Sequence, residues 1–203
     1  MTQAEEKKNK EFILFYEAKE KPYGVFSNYS LSPITINKKL YDSVEHFYQS
    51  SKYENEYSEV IRKASTPNKA RILARQELCF QYKWQLELNE IIKLNQAKGI
   101  TLKSMRPDWE ERKDEIMYQG LQAKFTQHPS LKSLLVNTGD KILVENSPRD
   151  SYWGWGKNQK GENKLGLLLM KLREEFTNST TTKRKREEEE EEEEQEKTKS
   201  KIL

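Results

Sequence analysis

The segment 106–125 places the strongest constraint on how this chain can fold. Apolar or small residues recur there at helical spacing, namely Trp109, Ile116, Met117, Gly120, Leu121 and Phe125. Because residues three and four apart share one face of an α-helix, the pattern predicts a long helix with one buried face. Arg106-Pro107-Asp108 precedes its first turn, and His128-Pro129 ends it. This helix is the clearest element of a fold that we predict to be mainly α.

Further helix signals lie on both sides of this segment. Ser43 can cap a helix that begins at Val44, because its hydroxyl can accept a bond from a free N–H of the first turn. Thr66-Pro67 opens another helix, with the proline at the first helical position. Gly99 ends a third predicted helix, and the remaining helical patterns are short. The ranges of these last three patterns are 84–98, 131–135 and 164–176.

Strand patterns are few and short. Residues 12–16 and 142–144 are apolar runs of strand length, and 34–36 with 39–41 predict a hairpin around Asn37-Lys38. We therefore expect a mainly α fold, a single compact multihelical domain with a few short β-strands.

Composition assigns that domain to residues 11–176. Residues 1–10 are polar and are expected to be flexible, and 177–203 are expected to form a disordered tail, rich in Lys/Arg and then in Glu. Lys183-Arg184-Lys185-Arg186 within this tail has two interpretations, a nuclear-import signal or part of a solvated segment.

The chain carries no signal for a membrane. No apolar run approaches the roughly 18 residues of a membrane span, and no apolar stretch follows the polar N-terminus. We expect a cytoplasmic protein, with a nuclear location as the alternative, and no membrane partner. The net charge of +3 gives only a weak preference for phosphate-bearing ligands or nucleic acid. No oligomeric state follows from these features.

Residues suited to metal binding are scarce. One cysteine, Cys79, and two histidines, His46 and His128, are too few for a structural zinc site. Cys79 lies between Leu78 and Phe80, a context typical of a buried core residue rather than a nucleophile. We expect no metal and no cofactor.

The predicted helix from Val44 carries the first candidate site. Glu45, Gln49 and Lys52 recur at i, i+4 and i+7 and therefore align a carboxylate, an amide and an ammonium along one face. Gln49 is counted as a substrate-binding candidate. Taken alone, an ordinary solvent-exposed helix face is the favoured interpretation of this strip.

Two loops supply the other candidates. The run 145–156 places two tryptophans among glycines just after Glu145, and loops that combine aromatic and acidic residues are frequent binding sites. Its glycines do not match the dinucleotide-binding pattern. The turn from Gly24 to Tyr29 can offer hydroxyl, amide and backbone donors to a phosphate or a ribose, and we count Gly24 as a substrate-binding candidate. An ordinary structural turn and a loop pinned by tryptophan burial are the alternatives.

Taken in order, these features resemble the YbiA-like, or NADAR, superfamily from about residue 12 to residue 176. The residues that carry the resemblance are Phe15-Tyr16, Gly24-x-Phe26-Ser27-Asn28, Pro33-Ile34, Ser43-x-Glu45-His46-x-Tyr48-Gln49, Lys52-Tyr53, Asp108-Trp109, Lys113, Met117, Ala123-Lys124-Phe125, Gln127-His128, Leu134-Leu135, Thr138-Gly139, Leu143-Val144-Glu145, Asp150-x-x-Trp153-Gly154 and Asn163-x-Leu165-Gly166-x-Leu168-Leu169-Met170-x-x-Arg173.

The resemblance implies a mainly helical fold and an N-glycosidase activity. Members of this superfamily act on early riboflavin-pathway intermediates that carry ribose phosphate, and others remove ADP-ribose from guanine bases. The resemblance implies catalytic roles for Glu45, Trp109 and Asp150, with Lys52 as a further candidate. It also implies that four residues line the ligand: Ser27, Asn28, Trp153 and Gly154. The expected ligand is a ribosyl compound, either a small molecule or a modified base carried by DNA or RNA.

The chain departs from the family pattern at three places. Trp155 stands where an acidic residue is common, Ala74-Arg75 replaces a Gly-Arg pair, and the segment between Phe80 and Arg106 is longer. These departures concern the choice of substrate more than the chemistry.

Two mechanisms stay open on the sequence. Carboxylates can stabilise positive charge on the sugar and activate water, as in paired-carboxylate glycosidases. Alternatively the sugar ring opens and Lys52 captures the anomeric carbon as a Schiff base. Two other function classes are a non-catalytic module that binds ADP-ribose or a related nucleotide, and a nucleic-acid-binding protein. The second has the weaker support, because no compact basic stripe with exposed aromatics is present.

Overall fold

The computed structural model describes residues 11–54, 56–75, 93 and 105–179. The predicted helix over 84–98, Cys79, the N-terminal residues 1–10 and the tail from residue 180 lie outside the described residues. The mainly α fold is confirmed, since helices account for most of the regular structure and the strands are short.

The described elements follow the chain in this order: β1 (Phe12–Phe15), a 3₁₀ turn (Tyr23–Phe26), β2 (Ile34–Ile36), β3 (Lys39–Tyr41), α1 (Val44–Ser50), α2 (Tyr57–Arg62), α3 (Pro67–Ala74), α4 (Trp109–Gln127), α5 (Pro129–Val136), β4 (Ile142–Glu145) and α6 (164–179). Helix α2 is the one described helix that the sequence pattern did not predict.

The predicted helix starts are confirmed by their caps. The Ser43 hydroxyl accepts a bond from the backbone N–H of His46, and the Thr66 hydroxyl accepts one from Lys69. Pro67 and Pro129 each occupy the first turn of a helix, where proline costs no hydrogen bond. The hairpin turn is also as predicted, with positive φ at Asn37 and Lys38.

The strands form two separate pairs. β2 and β3 are antiparallel, whereas β1 and β4 are parallel, with Phe15 opposite Glu145. The N–H of Asn146 then donates to the carbonyl of Phe15 at 2.8 Å. This parallel pair brings the N-terminal strand beside the loop 145–156, an association that the sequence pattern did not indicate.

Helix α4 occupies the centre of the main apolar cluster. Leu121 and Phe125 are fully buried on the face that the helical spacing predicted. Gly120 lets α1 approach closely, because a Cβ at this position would lie 2.9 Å from Val44 Cγ1 and 3.0 Å from the Phe47 ring. At the other end of α4, Gln127 exchanges two bonds with the backbone of Thr35 at 2.8 and 2.9 Å. These contacts fix α1 and β2 against α4.

A second apolar cluster covers the opposite side of α1. It is built around Tyr57, Ile61 and Ala70 of α2 and α3, all fully buried. Tyr53 and Tyr57 donate to the carbonyls of Ala74 and Leu73, respectively, at 2.9 and 2.8 Å. Helix α1 is therefore enclosed between two clusters.

The position of Gly166 allows a test of how closely α6 packs on β4. A Cβ at Gly166 would lie 2.1 Å from the carbonyl oxygen of Leu143, a backbone atom that the sheet holds in place. We expect Gly166→Ala to lower the free energy of unfolding by at least about 3 kcal/mol. Gly139→Ala meets open space and only the strain of a φ of +57°, so about 1–2 kcal/mol is expected. Denaturant unfolding of both variants checks the order, and equal losses would contradict the packing described here.

Candidate functional site

The polar strip of α1 is buried, so its interpretation as a solvent-exposed helix face is wrong. Glu45 is 2% exposed, Gln49 4% and Lys52, just beyond the helix, 9%. The physical reason is the enclosure of α1 between two apolar clusters, which leaves no side of the helix to solvent. A carboxylate, an amide and an amine are seldom buried on one helix without a functional or network role, because burial of a charge is costly.

The Glu45 carboxylate is held by amide donors on both oxygens. Asn28 Nδ2 donates to Oε2, and Gln49 Nε2 donates to Oε1 at 2.7 Å. Burial raises the pKa of Glu45, while the Gln49 bond, the Lys52 charge and a bond from Tyr29 oppose the rise. The Glu45 side chain is therefore fixed in position, with one protein donor on each oxygen.

The turn 24–29 that carries Asn28 is held by a buried lysine. Lys124, from α4, is fully buried and donates through Nζ to the carbonyls of Val25 and of Ser27, the latter at 3.0 Å. Burial lowers the pKa of Lys124 to about 7. Lys124 was not among the predicted site residues. In the sequence, Lys124 stands within Ala123-Lys124-Phe125, one of the matches to the family pattern, and no local feature marks it as a buried residue.

Two other candidates of this turn contribute mainly to its shape. The Ser27 hydroxyl, 2% exposed, accepts a bond from the backbone N–H of Tyr29 at 3.3 Å. A Cβ at Gly24 would lie 2.4 Å from the carbonyl oxygen of Glu17, so only glycine fits there. Their predicted contact with substrate stays a prediction.

Lys52 lies against an aromatic wall. Its Nζ is 5.3 Å from the ring centre of Trp109 and 5.4 Å from that of Tyr48. Tyr48 in turn makes edge-to-face contacts with Trp109 at 4.9 Å and with Trp153 at 5.5 Å. Burial lowers the pKa of Lys52 to about 8, and the Glu45 charge limits the fall. Lys52 is thus a buried amine that loses its proton more easily than a surface lysine.

Asp150 organises the loop that ends in Trp153. Its Oδ1 accepts bonds from the backbone N–H groups of Tyr152 at 2.9 Å and Trp153 at 2.8 Å. Gly154 is required by packing, since a Cβ there would lie 2.6 Å from the carbonyl oxygen of Glu145. Asp150, Trp153 and Gly154 therefore lie in one loop, and the Trp153 ring contacts Tyr48 of the aromatic wall.

Glu145 is a buried carboxyl at this site that was not among the predicted site residues. It is 8% exposed and ends β4, where its own N–H donates to Asn163 Oδ1 at 3.0 Å and its carbonyl accepts from Trp155 N–H at 2.9 Å. Burial, Asp150 and Glu45, in that order, raise its pKa to about 8. The available signal was an acidic residue that directly continues the apolar strand Ile142-Leu143-Val144.

Two buried acceptor atoms have no hydrogen-bond partner among the described residues. They are Oε1 of Gln49 and Oε2 of Glu145. The orientation of the Gln49 amide follows from its bond to Glu45, so its oxygen must point away from that carboxylate. Unpaired buried acceptors are rare and indicate a ligand or water that supplies donors.

Across the described ranges, no three His, Cys, Asp or Glu side chains converge as metal ligands. Nor does any helix in them combine the length and the apolar character needed to cross a bilayer. His46, the histidine next to Glu45, is occupied: its Nε2 donates to the carbonyl of Ala64 at 3.0 Å, and Nδ1 contacts the Ser43 hydroxyl at 2.8 Å.

Comparison with known proteins gives a consistent result. The model of the NADAR domain family matches residues 14–177. The N-glycosidase YbiA of Shigella boydii is 37% identical over 164 residues, which cover 80% of this chain and 87% of that protein. The riboflavin biosynthesis protein PYRR of Zea mays is 32% identical over 165 residues, 75% of this chain and 23% of that protein. The solution structure of Escherichia coli YbiA matches with a TM-score of 0.67 and 34% identity, over 85% of this chain and 88% of that one.

The raised pKa of Glu145 can be tested through the pH dependence of the free energy of unfolding. Its pKa of about 8 in the folded state exceeds the usual value for glutamate, so between those pH values the folded state holds a proton that the unfolded state has lost. The contribution of Glu145 to stability therefore falls as pH rises from about 4 to 8. We expect Glu145→Gln to be more stable than the parent at pH 8 by on the order of 2 kcal/mol, and to lose this advantage towards pH 4.

Denaturant unfolding at several pH values measures this difference. Glu174→Gln, at an exposed position on α6, is the matched control and should change stability little at any pH. An advantage of Glu145→Gln that does not grow between pH 5 and pH 8 would contradict a protonated buried carboxyl at this position.

Proposed function

The chain belongs to the NADAR domain family, and we propose that it is an N-glycosidase that releases a base or an aminopyrimidine amine from ribose-phosphate or ADP-ribose. The observation that carries the proposal is the burial together of the Glu45 carboxylate, on the enclosed helix α1, and the Lys52 amine just beyond its end. Relatives that share most of this chain's length are named N-glycosidases, which supports the same reaction class.

The aromatic wall supplies the surface for the base. Tyr48 makes edge-to-face contacts with both Trp109 and Trp153, so the relative positions of these rings are fixed before a ligand binds. A planar base gains stacking and apolar burial against such rings. The same rings exclude water from Lys52, and this exclusion keeps its pKa low. One arrangement therefore both orients the base and activates the amine.

Glu45 fits the role of the carboxylate that stabilises positive charge during the reaction. Cleavage of the C1′–N bond builds positive charge on the sugar, and a carboxylate beside C1′ stabilises that charge. Asn28 and Gln49 hold both oxygens, so the carboxylate need not reorganise as the charge develops. It can also accept the proton of the attacking group, whether that group is water or Lys52.

Lys52 favours the covalent route over direct displacement. A neutral amine beside a ring-opened aminosugar can add to C1′, the original amine departs, and water then hydrolyses the lysine imine. Direct displacement by water needs no such amine, and it offers no reason to bury a lysine at this position against the cost of its desolvation. The family pattern at the loop, Asp150 with Trp153 and Gly154, would place the phosphate-bearing sugar against the same wall.

The activity is tested with two substrates side by side, an oligonucleotide with ADP-ribosylated guanine and the phosphoribosylamino-uracil intermediate of riboflavin synthesis. We expect release of the base or amine from at least one. Glu45→Gln keeps the size of the side chain but removes its charge, so the rate should fall by about 10²–10⁴-fold. Glu174→Gln should leave the rate unchanged. Absence of release from both substrates, with ADP-ribose still bound, would replace the enzyme by a non-catalytic ADP-ribose-binding module.

The lysine route has its own test in the pH dependence. Because only the neutral amine attacks, the acid limb of the pH profile should rise towards the Lys52 pKa of about 8. Lys52→Ala should lose activity by about 10²-fold or more, and Lys52→Arg should not restore it, since a guanidinium stays charged. A fully active Lys52→Ala variant would eliminate the covalent route and leave direct displacement.

A further inference from the structure

Glu145 is the one buried carboxyl of the site that the reaction described so far does not use. It lies at the end of β4, and its backbone is held on both sides, by Asn163 through its N–H and by Trp155 through its carbonyl. Gly154 packs against the same carbonyl so closely that no Cβ would fit. The side chain therefore starts from a rigid point and has little freedom to leave the site.

The two buried glutamates have opposite surroundings. Glu45 accepts bonds from Asn28 and Gln49, one on each oxygen, and the positive charge of Lys52 favours its ionised form. Glu145 has an oxygen with no protein donor, and the charges that act on it, those of Asp150 and Glu45, are both negative. Burial raises the pKa of both carboxyls, but the donors and the Lys52 charge oppose the rise at Glu45, whereas negative neighbours add to it at Glu145. Such a divergence between two acids in one site distinguishes a base from an acid.

The reaction requires a proton donor. A nitrogen that leaves C1′ with the bonding electron pair is a poor leaving group unless it is protonated as the bond breaks. Lys124, the other buried cation near the turn 24–29, has both of its described bonds directed to backbone carbonyls and is committed to that turn. Among the described residues, Glu145 is the carboxyl group that has a buried oxygen without a hydrogen-bond partner.

We propose that Glu145 is a catalytic residue that protonates the departing nitrogen. As the C1′–N bond breaks, its electron pair stays with nitrogen, and the carboxyl proton of Glu145 moves to that nitrogen to give the neutral amine. Glu145 is then a carboxylate, and it takes a proton from the water that adds to C1′. This second transfer restores the acid. In the covalent route, Lys52 Nζ holds C1′ as a protonated imine between the two transfers, and the Nζ–C1′ bond then breaks as the proton of the new hydroxyl passes to Nζ. The sum of these steps is hydrolysis. The assignment rests on the N-glycosidase function proposed above.

The first test is the pH profile of the Glu145→Gln variant on the substrate that the unsubstituted protein cleaves. Loss of the acid should lower kcat by about 10²–10⁴-fold with little change in KM, and should remove the fall in rate above about pH 8. Glu110→Gln is the matched control, because it removes a carboxylate whose charge acts on Lys52 but whose side chain is 74% exposed. It should retain activity and both limbs of the profile.

The outcomes separate this assignment from the function on which it rests. If the unsubstituted protein cleaves neither substrate, the N-glycosidase function fails. If that protein is active and Glu145→Gln keeps both its kcat and the alkaline limb, the role of Glu145 is overturned. An infrared difference spectrum supplies a readout without substrate: a protonated-carboxyl band at pH 7 should disappear in Glu145→Gln. Absence of that band would show an ionised Glu145 and would also overturn the assignment.

Discussion

Enclosure of helix α1 between two apolar clusters is the constraint on which the site depends. Helix α4 covers one side, where Gly120 allows the close approach of Val44 and Phe47, and helices α2 and α3 cover the other. A seven-residue helix has little stability of its own and takes its position from this packing. The same packing removes water from Glu45 and Lys52, which changes the ionisation of both. Fold and reactivity therefore have one physical origin.

Two polar side chains stabilise the loops of the site through hydrogen bonds to their backbones. Lys124 fixes the turn that carries Asn28, and Asp150 fixes the loop that carries Trp153. Both act by satisfying backbone groups that would otherwise leave these irregular segments without partners. The unpaired acceptors at Gln49 and Glu145 lower the stability of the fold unless a ligand or water supplies donors. Such a compromise between stability and function is typical of catalytic sites.

Much of the fold could be predicted, because local signals decided it. The caps at Ser43 and Thr66, the helical spacing over α4 and the Asn37-Lys38 turn act within a few residues, and each element is observed where these signals placed it. The parallel pairing of β1 with β4 depends on contacts between residues 130 positions apart, such as Phe15 and Glu145, and no local signal encodes it.

The site was predicted less completely for a related reason. The alignment of Glu45, Gln49 and Lys52 follows from helix geometry, but their burial depends on two clusters that assemble around α1. In the sequence, Glu145 is an acidic residue at the end of a strand. Only the fold brings it close enough to Asp150 and Glu45 for their charges to raise its pKa. Lys124 looked like any lysine at the edge of an amphipathic helix, because its acceptors belong to a distant turn. Side-chain chemistry was readable from the sequence, whereas long-range burial was not.

Reductive trapping during turnover is the most direct test of Lys52 as a buried amine that enclosure activates. The protein is mixed with substrate and borohydride, and the modified peptide is identified by mass spectrometry. We expect a stable sugar adduct on Lys52, formed only when substrate and reductant are both present. Sustained turnover with no adduct, or an adduct on a different lysine, would contradict it.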